Sequence, residues 1–165
     1  MTAVVCARKG FFALRGIGLV MIVAMLALAS IVILVPAAAE TAAEDHPFAD
    51  QHLALQLSDS DGKKQSLVIS VAYNLLTFYG PDRIAIEVVT FGPGIDLLRA
   101  DNPNRKLVDS LIAQGVRFDV CMNTVDTIER DTGKRPELNP KAMPVEAGVA
   151  QILTLAKKGY TLVRP

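Results

Sequence analysis

Strand-like and helix-like segments alternate from residue 52 onwards, and this order limits the fold more than any other feature of the chain. Segments with strand-like patterns, either alternating or rich in β-branched residues, lie at 52–58, 84–92, 116–122, 142–147 and 160–165. Segments with helical spacing of apolar residues lie between them, at 65–80, 95–100, 104–115, 124–133 and 148–159. Such alternation is typical of a parallel sheet with helices packed on both faces. We therefore predict an α/β fold, a three-layer α/β/α sandwich around a five-stranded, mainly parallel sheet.

The segment 142–147 has the weakest strand pattern, because Pro144 has no N–H group to donate to a ladder. We expect this strand to be very short or to lie at an edge of the sheet. Right-handed crossovers bring the loops that follow the strands to one edge of the sheet. Ligands of open α/β sheets bind at that edge, outside the carboxyl ends of the strands. The candidate site therefore belongs to residues that directly follow a strand.

The N-terminal segment predicts export. Three basic residues lie within the first 15 positions, and no charged residue follows until Glu40. A basic start, an apolar run and the small residues Ala37–Ala39 are typical of a secretory signal, here residues 1–39. The 24 uncharged residues 16–39 are also enough for an N-terminal membrane anchor, because a bilayer span needs about 20. Either alternative puts the rest of the chain outside the cytoplasm, as a periplasmic or secreted domain.

The exported part divides into a linker and one domain. Residues 40–51 are polar and rich in small residues, which predicts a linker, and 52–165 is enough chain for one domain. All 17 acidic residues lie beyond residue 39, whereas three of the 17 basic residues precede it. The exported part therefore carries a net charge of about −3. A mildly acidic domain of this kind gives no electrostatic reason to expect a nucleic-acid partner.

Cys121 is the main candidate for chemistry. The other cysteine, Cys6, lies in the predicted leader, so Cys121 is a lone thiol in the exported domain. A lone cysteine of an exported protein indicates intermolecular pairing or a reactive thiol. A buried and inert cysteine that merely packs is the alternative.

The position of Cys121 favours the reactive alternative. It closes the third predicted strand, and the N–H groups at the start of the next helix stabilise a thiolate. Asn123 or Thr124 is expected to cap that helix. The apolar neighbours Phe118 and Val120 have the opposite effect, because burial raises the pKa of a thiol. The sequence leaves open which effect is larger.

The turn that contains Gly92 and Gly94 is the second candidate element. It follows the second predicted strand, and two glycines let a backbone approach an anion and present N–H groups to it. A tight turn that needs positive φ is the alternative, favoured because no P-loop lysine or serine is present. The histidines and carboxylates show no metal-ligand spacing. We therefore predict no metal site and no cofactor.

Several segments together resemble the DsrE/DsrF-like family: YNLL (73–76), EVVTFGPGIDLL (87–98), GVRFDVCMNT (115–124), PVEAGVAQI (144–152) and KKGYTLVRP (157–165). The resemblance covers nearly all of 52–165 and implies a three-layer fold around a five-stranded parallel sheet, assembled into trimers or hexamers. It also implies that sulfur is carried as a cysteine persulfide between partner proteins. By this resemblance Cys121 corresponds to the active cysteine.

These observations lead to three hypotheses. The first is an exported sulfur carrier or sulfurtransferase that holds sulfane sulfur as a persulfide on Cys121. In it, Gly92, Gly94, Asn123 and Thr124 bind the substrate, and the partner is a donor or acceptor thiol, in a protein or a small molecule. The second is a non-catalytic module of the same fold that binds a small ligand or forms oligomers. The third is a structural domain in which Cys121 is buried and inert.

Overall fold

The structure is a computed structural model that describes residues 46–165. The predicted leader 1–39 and the predicted linker up to residue 45 lie outside the described residues. Within 46–165, no helix has the length and apolar character needed to cross a bilayer.

A single sheet organises residues 46–165. Its strands are β1 (Gln51–Leu57), β2 (Ile84–Thr90), β3 (Arg117–Cys121), β4 (Met143–Val145) and β5 (Thr161–Val163). Their order in the sheet is β4-β3-β2-β1-β5, and every neighbouring pair is parallel. The predicted α/β fold is therefore confirmed.

The connections between the strands form the outer layers. The helices are α1 (Gly62–Tyr79), α2 (Arg105–Ile112), α3 (Met122–Thr132) and α4 (Gly148–Lys157), and a 3₁₀ helix spans Gly92–Leu98. From β1 to β4 the chain moves across the sheet in one direction, so right-handed crossovers place α1, α2 and α3 on one face. The connection from β4 back to β5 runs the other way and places α4 on the opposite face. One face thus carries three helices and the other carries α4.

Two hydrophobic clusters fill the spaces between these layers. The larger cluster lies under α1–α3 and takes Leu53, Leu55 and Leu57 from alternate positions of β1. The smaller cluster contains Ala54 and Val89 of the sheet with two residues of α4, Ile152 and Leu155. Every residue of β2 is buried, because this central strand is covered on both faces. The core is therefore asymmetric and thinner under α4.

Local sequence signals account for several element boundaries. Asp61 caps α1, and its carboxylate accepts hydrogen bonds from the N–H groups of Lys63 and Lys64 at 3.0 Å each. The strand that contains Pro144 is three residues long and lies at the edge of the sheet, as its missing donor predicts. The helix predicted at 95–100 is instead the 3₁₀ helix Gly92–Leu98.

The folded domain begins before residue 52, where the sequence places its start. His46 Nε2 lies 2.9 Å from the carbonyl oxygen of Gly115. The N–H groups of Asp50 and Gln51 both donate to the carbonyl of Arg83, at 3.0 and 3.2 Å. Residues 46–51 of the predicted linker are therefore attached to the domain.

Candidate functional site

Cys121 lies where β3 meets α3, at the carboxyl edge of the sheet. It is the last residue of β3 and the N-cap residue of α3, and its neighbour in the edge strand β4 is Val145. The residue is 5 % exposed. The candidate thiol is thus at the predicted edge of the sheet, but it is buried there.

Hydrogen-bond donors from two helix N-termini converge on the sulfur. The hydroxyl and the backbone N–H of Thr124 come from the first turn of α3, and the N–H of Gly148 comes from the first residue of α4. The N–H of Asn123 also faces the sulfur, but it donates to the carbonyl of Glu146 at 3.2 Å. Thr124 and Gly148 therefore supply the donors that remain available to the thiol.

The net effect of this environment lowers the pKa of Cys121. Burial is the largest single influence and raises the pKa of the thiol. The Thr124 hydroxyl and the N–H groups of Gly148, Thr124 and Asn123 together outweigh burial and bring the pKa of the thiol below its ordinary value. Because the thiolate is the nucleophile, the environment favours the reactive form.

Phe118 and Val120 do not surround the sulfur. Alternation along β3 directs both side chains into the larger cluster under α1–α3, whereas Cys121 faces α4. The expectation that these two neighbours desolvate the thiol is therefore wrong. Burial under α4 has that effect instead.

The predicted cap of α3 is also wrong. The helix begins at Met122, so Asn123 and Thr124 lie inside its first turn. Cys121 occupies the cap position without a side-chain cap hydrogen bond, since a neutral thiol is only a weak acceptor. The same donors gain strength when the sulfur is ionised, because hydrogen bonds to charged groups are stronger than those to neutral ones.

Thr124 connects the thiol to the glycine turn. Its hydroxyl oxygen accepts a hydrogen bond from the N–H of Gly92 at 2.9 Å. Because that bond uses a lone pair of the oxygen, the hydroxyl proton is free to point to Cys121. Gly92 has a φ of 52°, which glycine adopts without strain. Three of the predicted site residues, Gly92, Cys121 and Thr124, thus form one hydrogen-bonded unit.

Gly94 has a structural role in this turn. It is buried, and a Cβ atom built on it would lie 2.2 Å from the carbonyl oxygen of Leu57. Its N–H donates to the carbonyl of Phe91 at 3.1 Å. Glycine is required here because the turn packs directly on the end of β1.

Gly148 is a site residue that reasoning from the sequence missed. A Cβ atom on it would lie 3.0 Å from the Cβ and Cδ1 atoms of Phe91, so the start of α4 packs closely on that ring. Its position as the first residue after a predicted strand, at a helix start, is the signal that marks it.

A cleft of about 620 Å³ lies beside the thiol. Gly92, Asn123 and Thr124 line it together with Asp96 and Arg99. Cys121 is not among the lining residues, but it lies one hydrogen bond away from Thr124. The turn after β2 and the start of α3 therefore form a common wall of this cleft.

The two histidines of the chain take part in structural contacts. His46 contacts the carbonyl of Gly115, and the ring of His52 packs edge-on against Tyr160 with centroids 5.1 Å apart. In the part of the chain that the structure describes, no group of three or more His, Cys, Asp or Glu side chains is arranged to hold a metal ion.

The comparisons with known proteins identify a relative but no activity. No protein-family model matches the chain, and no curated protein matches it. A solved structure that does match is the protein MTH1491 from Methanobacterium thermoautotrophicum, with 30% sequence identity and a TM-score of 0.63. The match covers 70% of this chain and 100% of MTH1491. The chain belongs to the same family as MTH1491. That relative is described as a protein of unknown function, so the relationship supports the fold and leaves the chemistry to the site itself.

Proposed function

We propose that the protein is an exported sulfur carrier or sulfurtransferase that holds sulfane sulfur as a persulfide on Cys121. The observation that carries this proposal is the convergence of the Thr124 hydroxyl and the Gly148 N–H on the sulfur. They favour the thiolate despite its burial, and a thiolate is what sulfur transfer requires. The DsrE/DsrF-like resemblance supports the same role for Cys121.

The reaction needs no external oxidant or reductant. The Cys121 thiolate attacks the outer sulfur of a donor persulfide, R–S–SH, and a new S–S bond forms. The S–S bond of the donor breaks, and R–S⁻ leaves with the electron pair while the proton stays on the outer sulfur. An acceptor thiolate then attacks that sulfur and takes it, and the Cys121 thiolate leaves. Each transfer conserves charge and the number of electrons.

The residues around Cys121 have distinct roles in this scheme. Thr124 and Gly148 stabilise the thiolate as nucleophile in the first transfer and as leaving group in the second. Gly92 and Asn123 line the cleft from which the donor or acceptor approaches. A persulfide places its outer sulfur about 2 Å beyond the first sulfur. This length places the transferred atom beyond the buried sulfur of Cys121.

The partners in this scheme are thiols. A donor and an acceptor thiol, either on a protein or on a small molecule, exchange the sulfur with Cys121. Because Cys121 is 5 % exposed, a donor must present its persulfide on a narrow extension. Small thiols and exposed cysteines on flexible protein segments both meet this requirement.

A non-catalytic binding module is the second candidate function. It is favoured by one observation, that Gly92, Asn123 and Thr124 line the cleft and Cys121 does not. In this case the cleft holds a small ligand, and Cys121 contributes only to packing. The two functions differ in whether the sulfur exchanges atoms with a donor.

Transfer of one sulfur atom separates these functions. Incubation of the full-length protein with polysulfide should add about 32 Da per sulfur atom at Cys121, and dithiothreitol should remove it. Peptide mass spectrometry distinguishes this site from Cys6. A Cys6→Ser variant should keep the adduct and a Cys121→Ser variant should lose it. A protein that binds no sulfur at Cys121 at any pH from 6 to 9 contradicts the carrier.

We also propose that the domain works outside the cytoplasm, because the leader pattern of residues 1–39 supports export. A reporter fused after residue 50 tests this location. A reporter enzyme that is active only after export should be active in this fusion. Strong activity of a reporter enzyme that works only in the cytoplasm would contradict the proposed export.

Self-association is proposed on the exposed face of α4. Val149 and Leu153 lie four residues apart on this helix and are 57 % and 60 % exposed. The resemblance to an oligomeric family supports a homo-oligomer, and these side chains are candidates for its interface. Light scattering should give a trimer or a larger assembly, and a Val149→Lys, Leu153→Lys double variant should dissociate it. A monomeric wild-type protein at micromolar concentration would contradict this assembly.

A further inference from the structure

A buried cluster of charged groups lies on the same face of the sheet as the thiol. Arg117, Asp119 and Cys121 occupy alternate positions of β3, so all three face α4. Glu87 of β2 is opposite Arg117 in the ladder. Arg117 Nε lies 2.7 Å from Asp119 Oδ1 and 3.9 Å from Glu87 Oε2. Two carboxyl groups therefore share one guanidinium.

Not every carboxylate oxygen of this cluster has a hydrogen-bond partner among the described residues. Asp119 is fully buried, and its Oδ2 atom has no hydrogen-bond partner among the described residues. Glu87 is 5 % exposed and lies within hydrogen-bonding reach of Asp119. A proton on Glu87 resolves both problems, because it removes one buried charge and supplies a donor to Asp119.

The electrostatics agree with such a shared proton. Burial first, and then the negative charge of Asp119, raise the pKa of Glu87 to about 7. Arg117 acts in the opposite direction but does not outweigh them. The neutral carboxyl group is thus the main form of Glu87 below neutral pH.

The cluster is joined to the thiol through α4. Gln151 Nε2 donates to Glu87 Oε2 at 3.1 Å. Gln151 is three residues after Gly148, so both lie on the face of α4 that packs on the sheet. The N–H of Gly148 is one of the donors that lower the pKa of Cys121. The bond to Glu87 therefore fixes the helix one turn from the donor that acts on the sulfur.

We propose that Glu87 is a positioning residue for Cys121: its protonated carboxyl group donates to Asp119 and, through Gln151, it holds the start of α4 against the sulfur. The inference rests on the proposed function, because it concerns the reactivity of the same thiol. When Glu87 ionises, two carboxylates repel each other under α4, and the added negative charge opposes the thiolate. Ionisation of Glu87 therefore lowers the reactivity of the Cys121 thiol above neutral pH.

Two titratable neighbours of Glu87, Arg117 and Tyr160, keep a constant charge in this range. Arg117 stays protonated, because although burial lowers its pKa, the bond and charge of Asp119 outweigh burial and raise it. Tyr160 stays neutral, because burial and then the charge of Glu87 raise its pKa. His52 packs against the Tyr160 ring, one residue further from the cluster. From α4 the group that bonds to Glu87 is the neutral Gln151.

The test is the pH profile of Cys121 alkylation in the full-length protein. Iodoacetamide rates are measured from pH 6 to 8.5 by peptide mass spectrometry, so that Cys6 is counted separately. Glu87→Gln keeps a neutral donor beside Asp119 but cannot ionise. It should match the wild type at pH 6 and react about threefold faster at pH 8, equivalent to half a pKa unit. The control Glu137→Gln removes an exposed carboxylate and should follow the wild type throughout.

A second variant keeps the test decisive if Glu87→Gln does not fold. Gln151→Met removes the bond to Glu87 without changing charge and should slow alkylation at every pH. Equal rates in the wild type and Glu87→Gln at both pH 6 and pH 8, or in the wild type and Gln151→Met, overturn the positioning role. The polysulfide adduct is measured in the same samples. An adduct with unchanged profiles rejects this inference alone, whereas shifted profiles without any adduct reject the carrier function and keep the positioning role.

Discussion

Replacement of Thr124 by valine tests the origin of the lowered pKa of Cys121. Valine has nearly the same shape as threonine, but it lacks the hydroxyl that donates to the sulfur and accepts from Gly92. Thr124→Ser is the matched control, because it keeps the hydroxyl and loses only a methyl group. The comparison therefore isolates one hydrogen bond at the buried thiol.

The expected shift follows from the strength of a hydrogen bond to a charged group. Such a bond contributes about 1.5–3 kcal/mol. One pKa unit corresponds to about 1.4 kcal/mol. Burial raises the pKa of Cys121 in the variant as in the wild type, and the N–H groups that lower it are also unchanged, so the difference between them reports the hydroxyl alone. Thr124→Val should therefore raise the pKa of Cys121 by about one to two units, whereas Thr124→Ser should change it by less than about half a unit.

Alkylation by iodoacetamide between pH 5 and 10 measures the pKa, since the thiolate is the reacting form. The valine variant should also lose about 1 kcal/mol of stability in urea, because the N–H of Gly92 loses its partner. Cys121 of the folded wild type must react with iodoacetamide in the absence of denaturant. Equal midpoints for the valine variant and the wild type would show that the Thr124 hydroxyl does not stabilise the thiolate, and the model of the site would then be refuted.

Three further predictions concern the residues around this unit. Burial and Asp119 raise the pKa of Glu87 from 4.5 to about 7. The wild type should therefore lose about 3 kcal/mol of stability relative to Glu87→Gln as the pH rises from 4.5 through 7. Urea unfolding at pH 4.5 and pH 8 measures this difference. Gly148→Ala places a methyl group 3.0 Å from a phenyl ring, which displaces the start of α4 and should raise the pKa of Cys121 by about half to one unit in the alkylation assay. Gly94→Ala drives a Cβ atom into the backbone of Leu57 and should cost about 3 kcal/mol or more of stability, while any protein that still folds should keep the wild-type pKa of Cys121. Unchanged stability of this last variant would contradict the close packing of the turn.

The fold could be predicted from the sequence because its signals are local. Alternation of apolar residues marks the strands, and Asp61 and Pro144 mark a helix start and an edge strand by their own chemistry. The position of Cys121 in the fold follows from the same reasoning, since the last residue of a parallel strand lies at the edge of the sheet where ligands bind.

The donors around the thiol could not be predicted in the same way, because they depend on contacts between distant segments. Gly148 reaches Cys121 only after the chain has crossed the sheet through β4. Glu87 lies opposite Arg117 and on the same face as Asp119 because of the register between β2 and β3, which no local pattern fixes. The sequence predicts the cap of α3 at Asn123 or Thr124, because both are good capping residues. The strand instead passes directly into the helix at Cys121.

The place of α4 in the chain determines the stage of folding at which the Cys121 thiol becomes reactive. Gly148 follows Cys121 in the chain and begins α4, the last helix of the described residues. Until α4 has packed on the other face of the sheet, the sulfur has only the donors of α3. The packing of α4 then completes the set of donors around the sulfur and also closes the smaller hydrophobic cluster. A chain that has not finished folding therefore carries an ordinary cysteine, and the activated thiolate belongs to the finished protein alone.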